Sequence, residues 1–254
     1  MVRKSTRKRK LEATVARIHA RFGPGSLTRG PPPAILDRPA AIPHIPTGFA
    51  DLDHALHIGG LPKGKISEIV GLPTSGKTTM ALKFLVQAQA RGAQVAYIDQ
   101  ARFFDADYAH RCGIDLSRLL VGAPYGLAEA LATTEALVCS GSLAALVFDV
   151  MDGLWSDPHT VPQLASCLGR LSAPLARSGV VLVFLHAAVK VRSTPLAHYA
   201  AVRLQVSHER WLQEHGDVRG YEAQVEVLKN RLGPSGGKVT IAIEFNGTVR
   251  GDGL

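Results

Sequence analysis

The sequence contains no apolar run long enough to span a bilayer, and no apolar signal core follows its basic N-terminus. Both absences make the cytoplasm, away from any membrane, the expected location. Cysteine is scarce: Cys112, Cys139 and Cys167 are odd in number, far apart and form no CxxC pair. A disulfide framework is thereby excluded, and reduced, mostly buried thiols are expected. No histidine pair at metal-ligand spacing accompanies His186, which leaves a zinc site without support, and a Ser/His/Asp triad finds none either. Internal repeats are also lacking. What remains is ordinary for a globular chain: 254 residues, 46% hydrophobic and 20% charged, enough for one medium domain with a sizeable core and a small appendage.

The charge is unevenly placed. Arg3, Lys4, Arg7, Lys8, Arg9 and Lys10 carry most of the net +8. Such a run reads as a disordered tail over residues 1–10, because like charges repel and no apolar burial offsets the entropy of ordering. It is either a tether for a polyanion, nucleic acid first, or a merely solvated segment.

Leu11, Val15, Ile18 and Phe22 recur at helical spacing, and Gly23-Pro24-Gly25 ends that helix. Residues 30–48 are proline-rich and read as an extended linker, so 11–48 form a helix-plus-linker segment ahead of a core at 49–254. From residue 50 strands and helices alternate. Strands are expected at 66–70, 94–98, 143–150, 179–185, 201–206, 223–228 and 238–245. Helices are expected at 78–90, 106–112, 127–139 and 161–178. That alternation, with continuous apolar runs at 143–150 and 179–185, specifies an α/β fold with a mostly parallel sheet flanked by helices.

Gly71-Leu72-Pro73-Thr74-Ser75-Gly76-Lys77-Thr78 matches G-x-x-x-x-G-K-[ST] in full, after a strand and opening a helix. The glycines let the backbone curl around phosphates, and N–H groups at the helix N-terminus face the anion. Lys77 neutralises the β and γ phosphates, and the Thr78 hydroxyl ligates Mg²⁺. Pro73, Thr74, Ser75, Gly76 and Thr79 complete the binding set. A second Mg²⁺ anchor belongs at the end of an apolar strand, and Asp149, closing Leu-Val-Phe-Asp, is the best candidate; Asp152, past the strand end, is a weaker one.

Beyond the loop, the stretches 47–53 (TGFADLD) and 59–66 (GGLPKGKI) closely resemble the RecA family of bacterial recombinases. So do Tyr97-Ile98-Asp99, Asp105-Ala106-Asp107-Tyr108-Ala109, Gly113-Ile114-Asp115-Leu116 and the segment 21–26. The resemblance runs over about residues 11–250. It implies a RecA-type P-loop ATPase core and a leading helix that packs on the adjacent protomer in filaments. It also implies adenine contacts by Asp105 and Tyr108, with ordinary helix packing as the alternative for Tyr108. Lys229 and Arg231 match the basic pair that reaches the neighbour's γ-phosphate; without a partner they are a basic strand end.

The chain departs from that pattern in three places. The family's water-activating glutamate is Ala101 here, and neither Asp99 nor Gln100 is in register to replace it. Where the family has Asn-Gln, the glutamine sensing γ-phosphate, this chain has His186-Ala187; His186 reads either as a phosphate sensor or as a structural histidine. Both DNA-binding loops are short, at 157–162 and 189–198, and the family's C-terminal domain is not expected. Lys190 and Arg192 in the second loop either contact phosphates or are simply solvated.

Together these features resemble the ImuA type of degenerate RecA paralogue. Expected is an ATP- and Mg²⁺-binding accessory protein of DNA repair and damage-induced mutagenesis, with slow or absent hydrolysis. It would bind single-stranded DNA non-specifically at the nucleoid, associate with itself or a RecA filament, and join a translesion polymerase. The alternatives are a compact, active DNA-dependent ATPase acting as recombinase or mediator, and a regulatory ATPase unrelated to DNA.

Overall fold

The computed structural model describes residues 2–23, 26–27, 41–151, 159–187, 195–215, 217–244 and 249–251. The chain divides into two compact units, Met1–Ala41 and Ile42–Leu254. The first is built on helix α1 (Val2–Phe22). The basic run expected as a disordered tail is thus helical from Val2 onward. Arginine and lysine are good helix formers, and successive charges fan out around a helix, so the amphipathic segment propagates back through them. Arg7, Lys8, Arg9 and Lys10 are exposed, as are Leu11 and Phe22 on the apolar stripe. The helix stops at Gly23, whose φ of +91° suits a left-handed cap and whose N–H donates to His19 O.

The second unit begins at Ile42, within the stretch read as linker. Strand β1 (His44–Ile45) and helix α2 (Ala50–Ala55) lead to β2 (Leu61–Pro62), which pairs with β1. Thr47 anchors this turn, its N–H and hydroxyl both donating to Asp53 Oδ1 at 2.8 Å. The main sequence of elements is then β3 (Ile66–Gly71), α3 (Lys77–Gln89), β4 (Gln94–Asp99), α4 (Ala106–Arg111), β5 (Leu119–Gly122), α5 (Leu127–Ser140), β6 (Leu143–Asp149), α6 (Thr160–Ser178) and β7 (Val181–His186). It finishes with α7 (Pro195–Tyr199), β8 (Val202–Glu214), β9 (Asp217–Asn230), β10 (Lys238–Glu244) and β11 (Val249–Gly251).

Nine strands form one sheet in the order β11-β10-β9-β8-β3-β7-β6-β4-β5. Strands from β8 through β5 in that order run parallel, and β9, β10 and β11 add antiparallel pairs at one side. Two apolar clusters cover the two faces. Alternate residues of each strand, such as Ile69, Val183 and Val225, meet α3, while Ile66, Leu182 and Phe184 meet α5 and α6. Because β6 and β7 are buried on both faces, they read as apolar runs up to Asp149 and His186, whereas β3, equally buried, carries Ser67 and Glu68.

Every expected core strand and helix is present. Strands β8 and β9 run well past their apolar stretches, because ladder pairing carries the hairpin on where side chains are already exposed. Edge strand β5 was not expected, since its short run exposes Leu120 and Val121. The two short loops also differ from expectation. Residues 160–162 open α6, and 195–198 form α7, where Pro195 suits a helix start. Residues 157–158 and 189–194 of these loops, with Lys190 and Arg192, lie outside the described residues, as do Asp152 and residues 30–40 of the linker.

Candidate nucleotide-binding site

β3 delivers the chain to its carboxyl edge at Gly71, beside β8, and the loop turns back into α3 at Lys77. Close packing dictates both glycines. A Cβ on Gly71 would meet Ser75 Oγ at 2.3 Å and Val206 O at 2.7 Å. Gly76 has φ of +97°, and its Cβ would meet Ile243 Cδ1 at 2.3 Å. Thr74 also adopts a positive φ, 63°, which a β-branched residue rarely accepts outside a constrained loop. Gly76→Ala is expected to cost about 1–2 kcal/mol or more through the left-handed backbone and the clash. A thermal melt of the variant against the parent chain checks this.

The loop presents what an anion needs. Gly76, the N-cap of α3, offers no side chain to the first-turn N–H groups, which leaves them for an external acceptor. Ser75 Oγ is buried without a hydrogen-bond partner among the described residues, as expected for a donor that meets a ligand. Among the described residues Lys77 Nζ makes only a long 3.5 Å contact with Leu72 O. Thr78 is half-buried in the first turn. Pro73 and Thr74 are exposed on the outer side of the loop.

Asp149 ends β6 as a residue only 7% exposed, paired in register with Asp99 of β4. Tyr97 donates its hydroxyl to Asp149 Oδ2 at 2.6 Å. Burial, then the charges of Asp149 and Asp99, raise the Tyr97 hydroxyl far above its usual value, so it remains a donor. A threonine hydroxyl and a carboxylate are the hard oxygen donors that suit Mg²⁺ held largely by substrate phosphates. No cluster of three metal-ligating side chains occurs among the described residues.

Tyr108 is joined to the loop helix through its hydroxyl, 2.7 Å from Thr79 Oγ1. Asp105 caps α4, accepting from Tyr108 N–H at 2.9 Å. These residues therefore stand together beside α3, and Asp105 has a local structural task as well. Lys229 and Arg231 also lie together, but both are tied to the end of α7. Lys229 Nζ donates to Ala197 O at 2.6 Å and to His198 O, and Arg231 donates to His198 O. Desolvation, followed by repulsion from Arg231 and Arg203, lowers the Lys229 amine from its usual value. Reaching a neighbouring subunit would require these carbonyl bonds to release.

Several residues gain roles that the sequence pattern did not assign. Asp99 accepts from the N–H groups of Phe103 and Phe104, each at 3.0 Å. Gln100 Oε1 accepts from Met151 N–H at 2.8 Å, linking the ends of β4 and β6. His186 is 1% exposed, with Nε2 2.6 Å from Glu68 Oε1 and Nδ1 against Ala187 O, so both ring nitrogens have protein partners. Arg203 donates to the other oxygen of Glu68. A glutamate within an apolar strand was the available signal for this buried ion cluster.

The family model described as RecA N-terminal domain matches residues 9–250. Protein RecA of Brucella anthropi is 33% identical over 94% of this chain and 72% of its own length. Protein RecA of Frankia alni is 33% identical over 97% of this chain and 77% of its own. A crystal structure of the RadB recombinase shares the fold, with a TM-score of 0.64 at 19% identity, covering 80% of this chain and 97% of that one.

Proposed function

Because this chain belongs to the RecA family, for which a role in DNA repair and recombination is the natural setting, we propose that it is an ATP-binding accessory protein in that setting, one that holds ATP with Mg²⁺ rather than turning it over rapidly. The observation that carries this reading is the end of β4. Ala101 occupies the place of the family's glutamate, and its two polar neighbours are both committed. Asp99 accepts from two backbone N–H groups and Gln100 holds Met151. Neither stands ready to orient water. The phosphate loop, with its uncapped helix end and unpartnered Ser75 hydroxyl, supports retention of the nucleotide.

ATP then acts as a ligand of assembly. Its differential affinity for one assembled form shifts that form's population without hydrolysis. The apolar stripe of α1, with Leu11 and Phe22 exposed, suits docking on another copy or on a RecA filament end. The basic residues Arg3, Lys4, Arg7, Lys8, Arg9 and Lys10 of α1 supply salt-dependent, sequence-independent attraction to single-stranded DNA. Lys190 and Arg192 are proposed to add to it. Damage-induced mutagenesis beside a translesion polymerase is the cellular setting we propose, at the nucleoid; no helix among the described residues is long and apolar enough to cross a membrane.

Steady-state ATP turnover with and without single-stranded DNA tests the reading. Slow turnover, little changed by DNA, is expected, with nucleotide binding abolished by Lys77→Ala. Fast, DNA-stimulated turnover that Lys77→Ala removes would establish the compact recombinase or mediator instead.

A further inference from the structure

His186 closes β7 on the face of the sheet turned away from α3, in line with Leu182 and Phe184. In the parallel pairing of β3 with β7 it stands level with Val70, as Phe184 does with Glu68. Gly71, the first residue of the phosphate loop, follows Val70 directly. Adjacent strands run about 4.8 Å apart, so His186 lies beside the point where β3 opens into the loop.

Both ring nitrogens meet oxygen. Nε2 is 2.6 Å from Glu68 Oε1, and Nδ1 is 2.9 Å from Ala187 O. A carboxylate and a carbonyl only accept, whereas a neutral imidazole has one donor nitrogen and one acceptor. Either neutral tautomer therefore sets a ring lone pair against an oxygen lone pair. The imidazolium, with two N–H donors, satisfies both contacts. Arg203 on the other oxygen of Glu68 favours the carboxylate form of the acid, so the proton between Glu68 and His186 belongs to the ring. Direct pairing with that carboxylate is what makes a charge tolerable in a residue only 1% exposed.

Few other titratable groups surround the ring among the described residues. On its face of the sheet β8 brings Arg203, and β9 brings Lys229, level with Arg203, and Glu226, which pairs with Lys238. β6 brings the apolar Phe148 and Val150. His159, at the start of α6, is exposed, and α7 carries His198 and Tyr199, whose rings lie against each other. Asp149 takes the Tyr97 hydroxyl on the opposite face, in the cluster that meets α3.

We propose that His186 is held as an imidazolium, that it is a positioning residue of the phosphate loop, and that it makes polyphosphate binding proton-linked. The linkage rests on the proposed binding of ATP, and its ligand class is a polyphosphate with Mg²⁺. With its proton in place, the ring ties the end of β7 to Glu68 on the loop strand and adds a positive charge beside the loop. Loss of the proton removes that charge and sets Nδ1 against Ala187 O. A unit charge within about 10 Å of a polyanion changes its affinity several-fold. Binding should therefore weaken as the pH rises.

Two measurements on the full chain test this. The first is nitrogen NMR with labelled histidine and no nucleotide, the His186 ring being assigned through its own backbone signals. At pH 7.5, about one unit above the midpoint of a free imidazole, both His186 nitrogens are expected to carry protons. Glu68→Gln should return the ring to a neutral form at that pH. An unprotonated His186 nitrogen at pH 7.5 in the unaltered chain overturns the proposal. The second is calorimetric titration with Mg²⁺ and either ATP or inorganic tripolyphosphate at pH 6.5 and pH 9. The unaltered chain should favour the lower pH by about fivefold more than His186→Asn does, the protonation of the probe being common to both. If His186→Asn does not fold, Glu68→Gln supplies the comparison and should flatten the profile likewise. Equal pH profiles in the unaltered chain and the variant sink the linkage while leaving ATP binding in place. If the unaltered chain binds neither probe at either pH, the nucleotide reading itself fails and takes the linkage with it.

Discussion

Ala101→Glu is expected to raise ATP turnover by about 10²–10⁴-fold over the parent chain, the usual worth of a positioned general base. The position allows it. Ala101 lies two residues past the end of β4 and is only half-buried, so a longer side chain can extend toward solvent. The neighbouring strand end holds Asp149, where Mg²⁺ and the terminal phosphate are proposed to lie. The existing side chains do not reach the task. Asp99 is bound through both oxygens to the turn at residues 103–104, and freeing it would unlatch that turn. Ala101→Gln is the informative control, since an amide can orient water but cannot accept its proton; it should recover a small part of the gain. Phosphate release measured by a coupled assay reads the effect, with Lys77→Ala combined with Ala101→Glu as the background. An Ala101→Glu variant no faster than the parent would mean that the missing glutamate is not what limits turnover.

The contrast between β3–β7 and the β8–β9 hairpin shows what was legible in the sequence. Strands buried on both faces, such as residues 143–149 and 181–186, announce themselves as apolar runs, and the phosphate loop between β3 and α3 as a motif with its context. The outer half of the hairpin offers no such pattern. Its length comes from ladder pairing and exposed ion pairs such as Arg210–Glu222, which depend on a partner strand and not on local alternation. Site residues divide in the same way. Lys77, Thr78 and Asp149 could be named from spacing and strand position. The Tyr97–Asp149 bond, the Gly76–Tyr221 contact and the pairing of Lys229 and Arg231 with α7 join residues far apart in sequence, and nothing local encodes them. The basic run at 3–10 went the other way. Its charge argued for disorder, but the helix that begins in the apolar stripe extends through it.

Glu68→Ala is expected to destabilise the core by about 3–5 kcal/mol, because it removes the buried carboxylate that Arg203 and His186 share. Glu68 is fully buried on β3, with His186 on β7 and Arg203 on β8 bound to its two oxygens, and Arg203 is itself only 8% exposed. These three strands are adjacent at the centre of the sheet, so the cluster joins them from the side facing away from α3. A lone carboxylate there would be costly, and the two partners are what make its burial tolerable. Deleting the acid removes both bonds at once and takes this countercharge from the Arg203 guanidinium. Glu68→Gln keeps the shape and one acceptor, and should cost clearly less than alanine. Urea unfolding followed by circular dichroism gives the comparison through the shift in midpoint. A loss under about 1 kcal/mol for alanine would show that water or a neighbouring group takes over the guanidinium, and the cluster would then not be what holds these strands together. The consequence reaches the loop, since Glu68 lies only a few residues before Gly71 on the same strand. Saturating Mg²⁺ and ATP should recover part of the lost stability in Glu68→Ala, because a ligand that binds only the folded state stabilises it by mass action. Failure to recover any, in a chain whose unaltered form is stabilised by ATP, would show that the strand no longer presents a working phosphate loop.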